Sequence, residues 1–542
     1  MLFGLTVTPQ PVPAQVTFER IVNAADEPHN WLTYSGGYEG QRHTALDQID
    51  PANVSELELK WVHQASSLEV FETSPLVVDG IMYLTEAPNT VVALDAKLGR
   101  VFWTYEYEPS NESRPCCGAV NRGLGMLGDT LFMATLDANL IAIDAWTGKP
   151  VWITDIADPT EGYAMTVSPL VVKDKVIVGV AGGEYGIRGF IAAYDAETGD
   201  EAWRFYTIPG PAEPGHETWG GGDAWKTGGA GVWVTGAYDP ELNLTYWGVG
   251  NPGPDFNAAQ RPGDNLYSDS VVALDADTGE LDWYFQFTPG DPYDYDATQV
   301  PVLIDYPAPD GSTLKLMLWG NRNGFFYVLD RASGQFVSGD PYVDVNWADG
   351  LDDNGRPIET PQPLGSPTFP GPLGGTNWYS PSYSPATGMF YVSAWEAYGT
   401  GFEPREEEYQ AGRVFIGGRM KPTGVAGAPS LPGLRRGPIN NWTSDAGRGA
   451  VKAIDPATGE VAWQFDMTDV TTSGLLTTAS GLLFSGGREG YFHALDATDG
   501  RLLWKATLGG MLANGPISYG IDDQQYVAVA AGHSLFVFGL RE

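Results

Sequence analysis

Hydrophobic residues along this chain fall into short alternating runs, and one run returns from end to end. It reads "VVALDAKLGRVFW" at 91–103, "LIAIDAWTGKPVW" at 140–152 and "IAAYDAETGDEAW" at 191–203. It comes back as "VVALDADTGELDW" at 271–283, "VKAIDPATGEVAW" at 451–463 and "FHALDATDGRLLW" at 492–504, with a weaker copy, "FYVLDRASGQF", at 326–336. "AYDPELNLTYW" at 237–247 and "SYSPATGMFYV" at 382–392 read as degenerate copies. Alternation at period two predicts strands. The stretch from Asp to Gly predicts a hairpin turn, with Gly supplying a positive φ and Asp bonding the turn backbone. The closing Trp is large enough to pack against the next sheet. Each unit thus has a face that it cannot bury alone, which is the logic of a repeat architecture.

Neighbouring copies lie about fifty residues apart where uninterrupted, the length of a four-stranded blade with its loops. Counting the degenerate copies and flanking strands, the pattern predicts an all-β, eight-bladed propeller with tryptophan-docking blades. It fills a single domain, residues 16–542. A β-helix fits less well, because its repeats are much shorter. Residues 1–15 read as the remnant of a secretion signal or as a linker. The Gly- and Pro-rich stretches at 348–376 and 400–440 exceed ordinary connections and read as long loops on the blade tops, able to serve as lids.

Composition sharpens this picture. Among 542 residues there are 69 Gly, 18 Trp and 26 Tyr, as expected of many short strands and tight turns. A formal net charge of −38 argues against a nucleic-acid backbone as partner. The acids are spread along the chain, so both a solvated surface and a field attracting a basic protein remain open. No apolar run approaches the ~18 residues of a membrane span. A propeller alone leaves function open, since a scaffold that only presents a docking surface would carry the same repeats.

The two cysteines, Cys116 and Cys117, are adjacent in "RPCCGAVNRG". As free thiols they would be an ordinary buried pair. As a bridge they would strain the peptide between them. Adjacent Cα atoms lie ~3.8 Å apart, under the ~4.4–6.8 Å usual for bridged pairs. Such strain persists where surroundings enforce it, often at functional sites, and the product would be a flat, polarisable platform for a planar ring. Composition leaves both readings standing. The six histidines show no zinc spacing, and no Cys-x-x-Cys-His occurs to hold a covalent haem.

"CCGAVNRG", together with the motifs that follow it from "YSGGYEGQRHTALDQIDPANVSELELKW" (34–61) to the last repeat, resembles the quinoprotein alcohol dehydrogenases. These are eight-bladed propellers that carry pyrroloquinoline quinone (PQQ). The resemblance implies a bridge between Cys116 and Cys117 on one side of the PQQ ring and Trp233, in "KTGGAGVW", on the other. It places Glu72, Arg122, Thr166, Gly182, Gly183 and Arg322 around the cofactor, Arg322 near the reactive carbonyls. Glu184 and Asn251 fall at the metal-ligand positions, and Asp294, in "GDPYDYDATQV", at that of the base accepting the alcohol proton. Asp296, two residues on, is expected on the same side of a strand-like stretch, where both carboxylates reach one ion. Two adjacent acids favour a more highly charged cation, and the resemblance associates the second acid with a lanthanide, with calcium as the alternative. Oxygen donors without His or Cys suit either.

Some positions depart from the family pattern. Ala181 stands where many relatives have a ring-contacting serine, and Thr472 and Ser473 where methanol-type enzymes have Trp-Gly, which leaves room for a larger alcohol. The expected reaction oxidises an alcohol to the aldehyde by hydride transfer to PQQ, with electrons passing to a separate cytochrome c. A sugar or polyol dehydrogenase of the same cofactor class and a cofactor-free scaffold are the rivals. A bridged cysteine pair points to an oxidising compartment, here the periplasm, and a homodimer is the expected assembly.

Overall fold

The computed structural model describes residues 15–308, 310–423, 448–467 and 469–541, with 421–423 as backbone. Nearly all of the predicted 1–15 signal remnant, and residues 424–440 of the second predicted loop, lie outside the described residues. Among the described residues the chain is all-β, with one short α-helix, Phe18–Val22, and a few 3-10 turns. The strands assemble into seven four-stranded sheets and one five-stranded sheet, alongside two smaller ones.

The first sheet shows the plan. Leu76–Val78, Ile81–Glu86, Thr90–Asp95 and Val101–Glu106 pair in sequence order, each antiparallel to the next. Its third strand is buried at every position except the last, whereas its fourth has no buried residue and exposes Val101, Thr104 and Glu106. A strand inside the stack is covered on both faces, so its sequence is a continuous apolar run; an edge strand alternates. Similar sheets follow at 125–155, 170–206, 237–286, 302–341, 382–466 and 476–507. The last joins the two chain ends: Leu57–Gln64 pairs antiparallel with Ser534–Leu540. The recurring sequence unit is the third and fourth strand of one sheet.

Two repeat assignments change. The stretches 237–247 and 382–392 are first hairpins, formed by Ala237–Asp239 with Leu244–Gly248 and by Ser382–Ser384 with Met389–Glu396. They belong to sheets that already contain the copies at 271–283 and 451–463. Asp, Pro, Asn and Gly suit any tight turn, so turn chemistry alone cannot separate the two positions. The sheet shared by the chain ends carries its copy in two halves, which is why sequence periodicity skipped it.

Tryptophans and turn glycines join one sheet to the next. Indole N–H groups of Trp61, Trp103, Trp152, Trp203 and Trp463 donate to the carbonyls of Ala96, Ala145, Ala196, Ala276 and Ala497, at 3.0–3.3 Å. Each carbonyl follows the repeat's Asp in the next sheet's turn. Gly199 in one such turn has φ +76°, and a Cβ there would lie 2.8 Å from the Trp152 ring. Left-handed backbone and ring contact both demand glycine at that position.

The long loops are partly ordered into sheet. Ala348–Leu351 pairs with Pro357–Glu359, and Gly399–Pro404 is central between Pro367–Thr368 and Gly418–Thr423. These additions sit on connections at the end of the sheets opposite the repeat turns. That end carries the chemistry.

Candidate functional site

In an up-and-down antiparallel sheet, the entry to strand one and the link between strands two and three emerge at the same end. Every candidate residue lies on one of these two kinds of link. Glu72, Arg122, Thr166, Trp233, Asp294 and Asp296 precede the first strands of the first five sheets, and Cys116 and Cys117 lie on the same link as Arg122. Gly182, Gly183 and Glu184, then Asn251, then Arg322 lie between second and third strands of the third, fourth and fifth sheets. Topology therefore gathers residues 250 positions apart onto one face.

One group is centred on Arg122, which is 3 % exposed. Its guanidinium pairs with Glu72 at 2.9 Å and donates to Thr166 Oγ1 at 2.7 Å. It also lies 5.0 Å from the Trp233 ring centre and 4.6 Å from that of Trp378. The indole of Trp233 is thus fixed by a buried cation, while Trp378 is a contact the sequence reading missed.

The sulfur pair forms a disulfide, with Cα atoms 3.8 Å apart. Both cysteines are exposed, which corrects the alternative of a buried free pair. Glu184 Oε1 lies 2.8 Å from Cys116 Sγ and 3.6 Å from Cys117 Sγ. Bridged sulfurs carry no thiolate and are poor partners for a hard cation, so Glu184 is the one donor of this trio suited to such an ion. Its position is set by a 3-10 turn, Gly183–Tyr185, entered through Gly182 at φ 117°. A Cβ on Gly182 would fall 2.2 Å from the Gly162 carbonyl oxygen, so only glycine lets the turn sit this close.

The third group is acidic. Asp296 accepts the Asn251 backbone N–H at 2.8 Å on one oxygen and the Arg322 guanidinium at 2.6 Å on the other. Asp294 reaches the same guanidinium at 3.4 Å. The two acids are indeed brought together, though not by strand alternation as expected. Residues 291–299 are irregular, and Asp294 takes φ 65°. Arg322, itself buried and donating also to Pro372 O at 2.5 Å, does the gathering.

Charges crowd here. Burial lifts Asp294 well above the usual carboxylate range; Arg322 opposes this, and Asp296, Asp255 and Glu184 add to it. Burial pulls Arg322 down, but Asp294, Asp296 and Asp291 outweigh it and leave it above its ordinary value. Asp291, pushed up to about 6 by burial, is partly restored by N–H bonds from Tyr295 and Tyr293. Asp255 and Asp269, which sequence reasoning passed over, are lifted far above their ordinary range by burial first, then by Glu184 and by Asp291 respectively. Both oxygens of Asp269 and Oδ1 of Asp255 are shut from solvent without a hydrogen-bond partner.

Arg261, fully buried and lowered to about 10 by burial, was also missed. It donates to the carbonyls of Pro254, Asp255 and Asp291, so it straps the loop after Asn251 to the loop before Asp294. The sequence carries no signal that would have singled out Asp255, Asp269 or Arg261: "NPGPDFN" holds one acid on a Gly/Pro-rich link, as many solvated turns do. At positions 472 and 473, Thr472 donates to Leu512 O at 2.7 Å and Ser473 to Gly474 O at 2.9 Å, so both hydroxyls are taken up by backbone.

This donor set fits a hard cation and a polyanionic planar cofactor. Orphaned buried carboxylate oxygens, one amide and Glu184 offer oxygen ligands, while Arg122 and Arg322 offer forks for carboxylate or carbonyl oxygens. No helix among the described residues is long and apolar enough to cross a membrane.

Comparison with known proteins agrees. Residues 31–345 match the family described as glucose/ethanol/alcohol dehydrogenase, beta-propeller domain, and residues 447–538 that of the outer membrane protein assembly factor BamB. The quinohemoprotein alcohol dehydrogenase ADH IIB of Pseudomonas putida is 38 % identical over 523 residues, 93 % of this chain and 73 % of that protein. The quinoprotein alcohol dehydrogenase PedH of Pseudomonas putida is 37 % identical over 96 % of this chain and 89 % of its own length. A solved europium-containing methanol dehydrogenase superposes with a TM-score of 0.88 at 33 % identity, covering 96 % of this chain and all of that one. With this coverage and a site of matching chemistry, the chain belongs to the PQQ-dependent alcohol dehydrogenases, oxidoreductases built on a β-propeller.

Proposed function

We propose that the eight large sheets are the blades of one propeller spanning residues 16–542, and that their common face oxidises an alcohol to its aldehyde. The observation that carries this reading is the convergence of Asn251, Asp294 and Asp296 at Arg322, with Glu184 in electrostatic reach of Asp294 and beside the exposed Cys116–Cys117 bridge. The cofactor ring would lie between the bridge and Trp233, with Glu72, Arg122, Thr166, Gly182, Gly183 and Arg322 around its edge. Glu184, Asn251, Asp294 and Asp296 would hold the cation. A lanthanide is favoured over calcium, since the site is rich in carboxylates and a structural relative contains europium.

When bound, PQQ supplies the quinone that accepts hydride, and the cation supplies a Lewis acid. The protein's own work is positioning and proton transfer. Asp294 is half-buried and held only by a long contact to Arg322, so its carboxylate is free to take the hydroxyl proton of the substrate. Asp296 has both oxygens engaged and acts as a fixed support. Arg322 neutralises both and holds the pair in register. The small, backbone-bonded Thr472 and Ser473 favour an alcohol larger than methanol. Electrons would leave to a separate cytochrome c, and the disulfide suits an oxidising location such as the periplasm.

The test is a matrix of metals and substrates. The full chain, reconstituted with PQQ and either lanthanum or calcium, is assayed by dye reduction with alcohols, aldoses and polyols. Highest activity is expected with lanthanum and a primary alcohol above methanol in size. Higher activity with calcium would overturn the metal assignment, and preference for aldoses the substrate class. No cofactor absorbance and no dye reduction in any cell of the matrix would favour the scaffold.

A further inference from the structure

The acidic group contains a carboxylate that this reading leaves unused. Asp255 follows Asn251 by four residues on the same link between strands. It is 3 % exposed, and its Oδ1 meets no hydrogen-bond donor. Arg261 offsets its charge through space but makes no ion pair with it among the described residues. Arg261 spends its donors on the backbone carbonyls of Pro254, Asp255 and Asp291 and on Asn265 Oδ1. Arg322 is committed to Asp294 and Asp296. The charged group acting most strongly on Asp255 is Glu184, and the Asn251 side chain bonds its carboxylate. Asp255 is therefore in electrostatic reach of Glu184 and next to Asn251, both already assigned to the cation.

A buried carboxylate with an unpaired oxygen is costly unless a cation meets it. Two functions are compatible with that requirement. By accepting from the Asn251 amide nitrogen, Asp255 would turn the amide oxygen toward the ion. By its charge, it would raise the charge demanded of that ion. Asp255, Asp269, Asp291, Asp294 and Asp296 are five carboxylates, against the two guanidiniums of Arg261 and Arg322. Three negative charges remain before any cofactor is counted, and a trivalent ion balances them where a divalent one does not.

We infer that Asp255 is a further carboxylate of the cation site, acting through its charge to favour trivalent over divalent ions. The inference rests on the cation reading above. Such a residue should be recognisable by its effect on binding alone, apart from turnover.

The experiment titrates terbium into the full chain with saturating PQQ, following luminescence excited through the protein's aromatic residues, with calcium as competitor. Parent, Asp255→Asn, Asp255→Ala and Glu184→Gln are compared. Asp255→Asn keeps an acceptor for the Asn251 amide while removing the charge. It is expected to weaken terbium at least tenfold and calcium much less, and its metal-free form should melt no lower than the parent. If Asp255→Asn binds terbium within twofold of the parent while Asp255→Ala or Glu184→Gln does not, the charge role is overturned and the cation site stands. Equal losses for terbium and calcium would also overturn the selectivity. If the parent binds neither ion, or Glu184→Gln changes nothing, the cation reading fails and the inference falls with it.

Discussion

Asp294 and Asp296 share one guanidinium, yet their surroundings divide the labour between them. Asp296 has an N–H on one oxygen and Arg322 on the other; its geometry is fixed, and each oxygen keeps a lone pair for the cation. Asp294 has one contact at 3.4 Å and a carboxyl lifted by burial and by neighbouring acids, which is the condition of a group that exchanges a proton. Asp294→Asn is therefore expected to lower kcat by roughly 10²–10⁴-fold while PQQ, read by its absorbance and dissociation constant, stays bound. Retained turnover would remove Asp294 from the base role. Much of this site was legible in the sequence, because Glu184, Asn251, Asp294 and Arg322 stand in motifs with a recognisable order. Asp255, Asp269 and Arg261 were not. Nothing in the spacing of "NPGPDFN" tells an acid in a solvated turn from one shut away without a partner; only burial makes the difference.

At the scale of elements, the repeat is a strand pair closed by Asp and Gly and locked by a tryptophan from the neighbouring sheet. The hairpins were legible from alternation and turn chemistry, but the position of each hairpin within its sheet was not, as 237–247 and 382–392 show. Where the turn has a glycine, what lies above it separates the two positions. Gly199 at φ +76° would place a Cβ 2.6 Å from Thr154 Oγ1 and 2.8 Å from the Trp152 ring, whereas Gly388 at φ +69° would place one in open space. Both substitutions to Ala meet left-handed backbone, at about 1 kcal/mol. Gly199→Ala must also displace an indole, adding about 1–3 kcal/mol of overpacking. Chemical denaturation should thus find Gly199→Ala clearly less stable than Gly388→Ala; equal losses would mean that the ring contact contributes nothing.

A second element-scale effect sits in the strand Tyr491–Asp496. His493 is buried, its Nδ1 has no hydrogen-bond partner, and Phe465 meets its ring edge-on at 5.4 Å. Burial, and then the charge of Lys505, lowers its pKa to about 4 from 6.5. The unfolded chain takes up this proton as pH falls below 6.5 and the folded chain only near 4, so stability is lost across that window as pH drops. At about 1.4 kcal/mol per unit the loss is on the order of 3 kcal/mol at most. The buried acids with raised pKa values work in the opposite direction, so the total acid response of the parent does not isolate this residue. The difference between parent and His493→Gln does: the variant should lose less stability between pH 7 and pH 4.5. Parallel losses would show that the imidazole is already paired or solvated.

Across the whole molecule, two features act at long range: ends joined in one sheet and a large excess of negative charge. Leu57–Gln64 and Ser534–Leu540 form one ladder, so segments more than 450 residues apart in sequence are held in one sheet. Against that closure works self-repulsion. With 68 acids and 30 Lys and Arg, even complete pairing leaves 38 acids without a basic partner. Surface ion pairs such as Lys97–Asp522, at 2.7 Å and well exposed on both sides, contribute only about 0–1 kcal/mol each. Screening therefore removes more repulsion than attraction. As ionic strength rises from about 0.01 to 0.15 M, the Debye length falls from about 30 to about 8 Å. Charges on neighbouring sheets cease to act on one another, while contacts within a pair persist. The melting temperature of the metal-free protein should accordingly rise by several degrees with sodium chloride over this range and then level off. Cation binding at the acidic site would add a separate, saturable increment with lanthanum at micromolar concentrations. A melting temperature that falls with sodium chloride would mean that paired charges, rather than the excess, dominate the folded state.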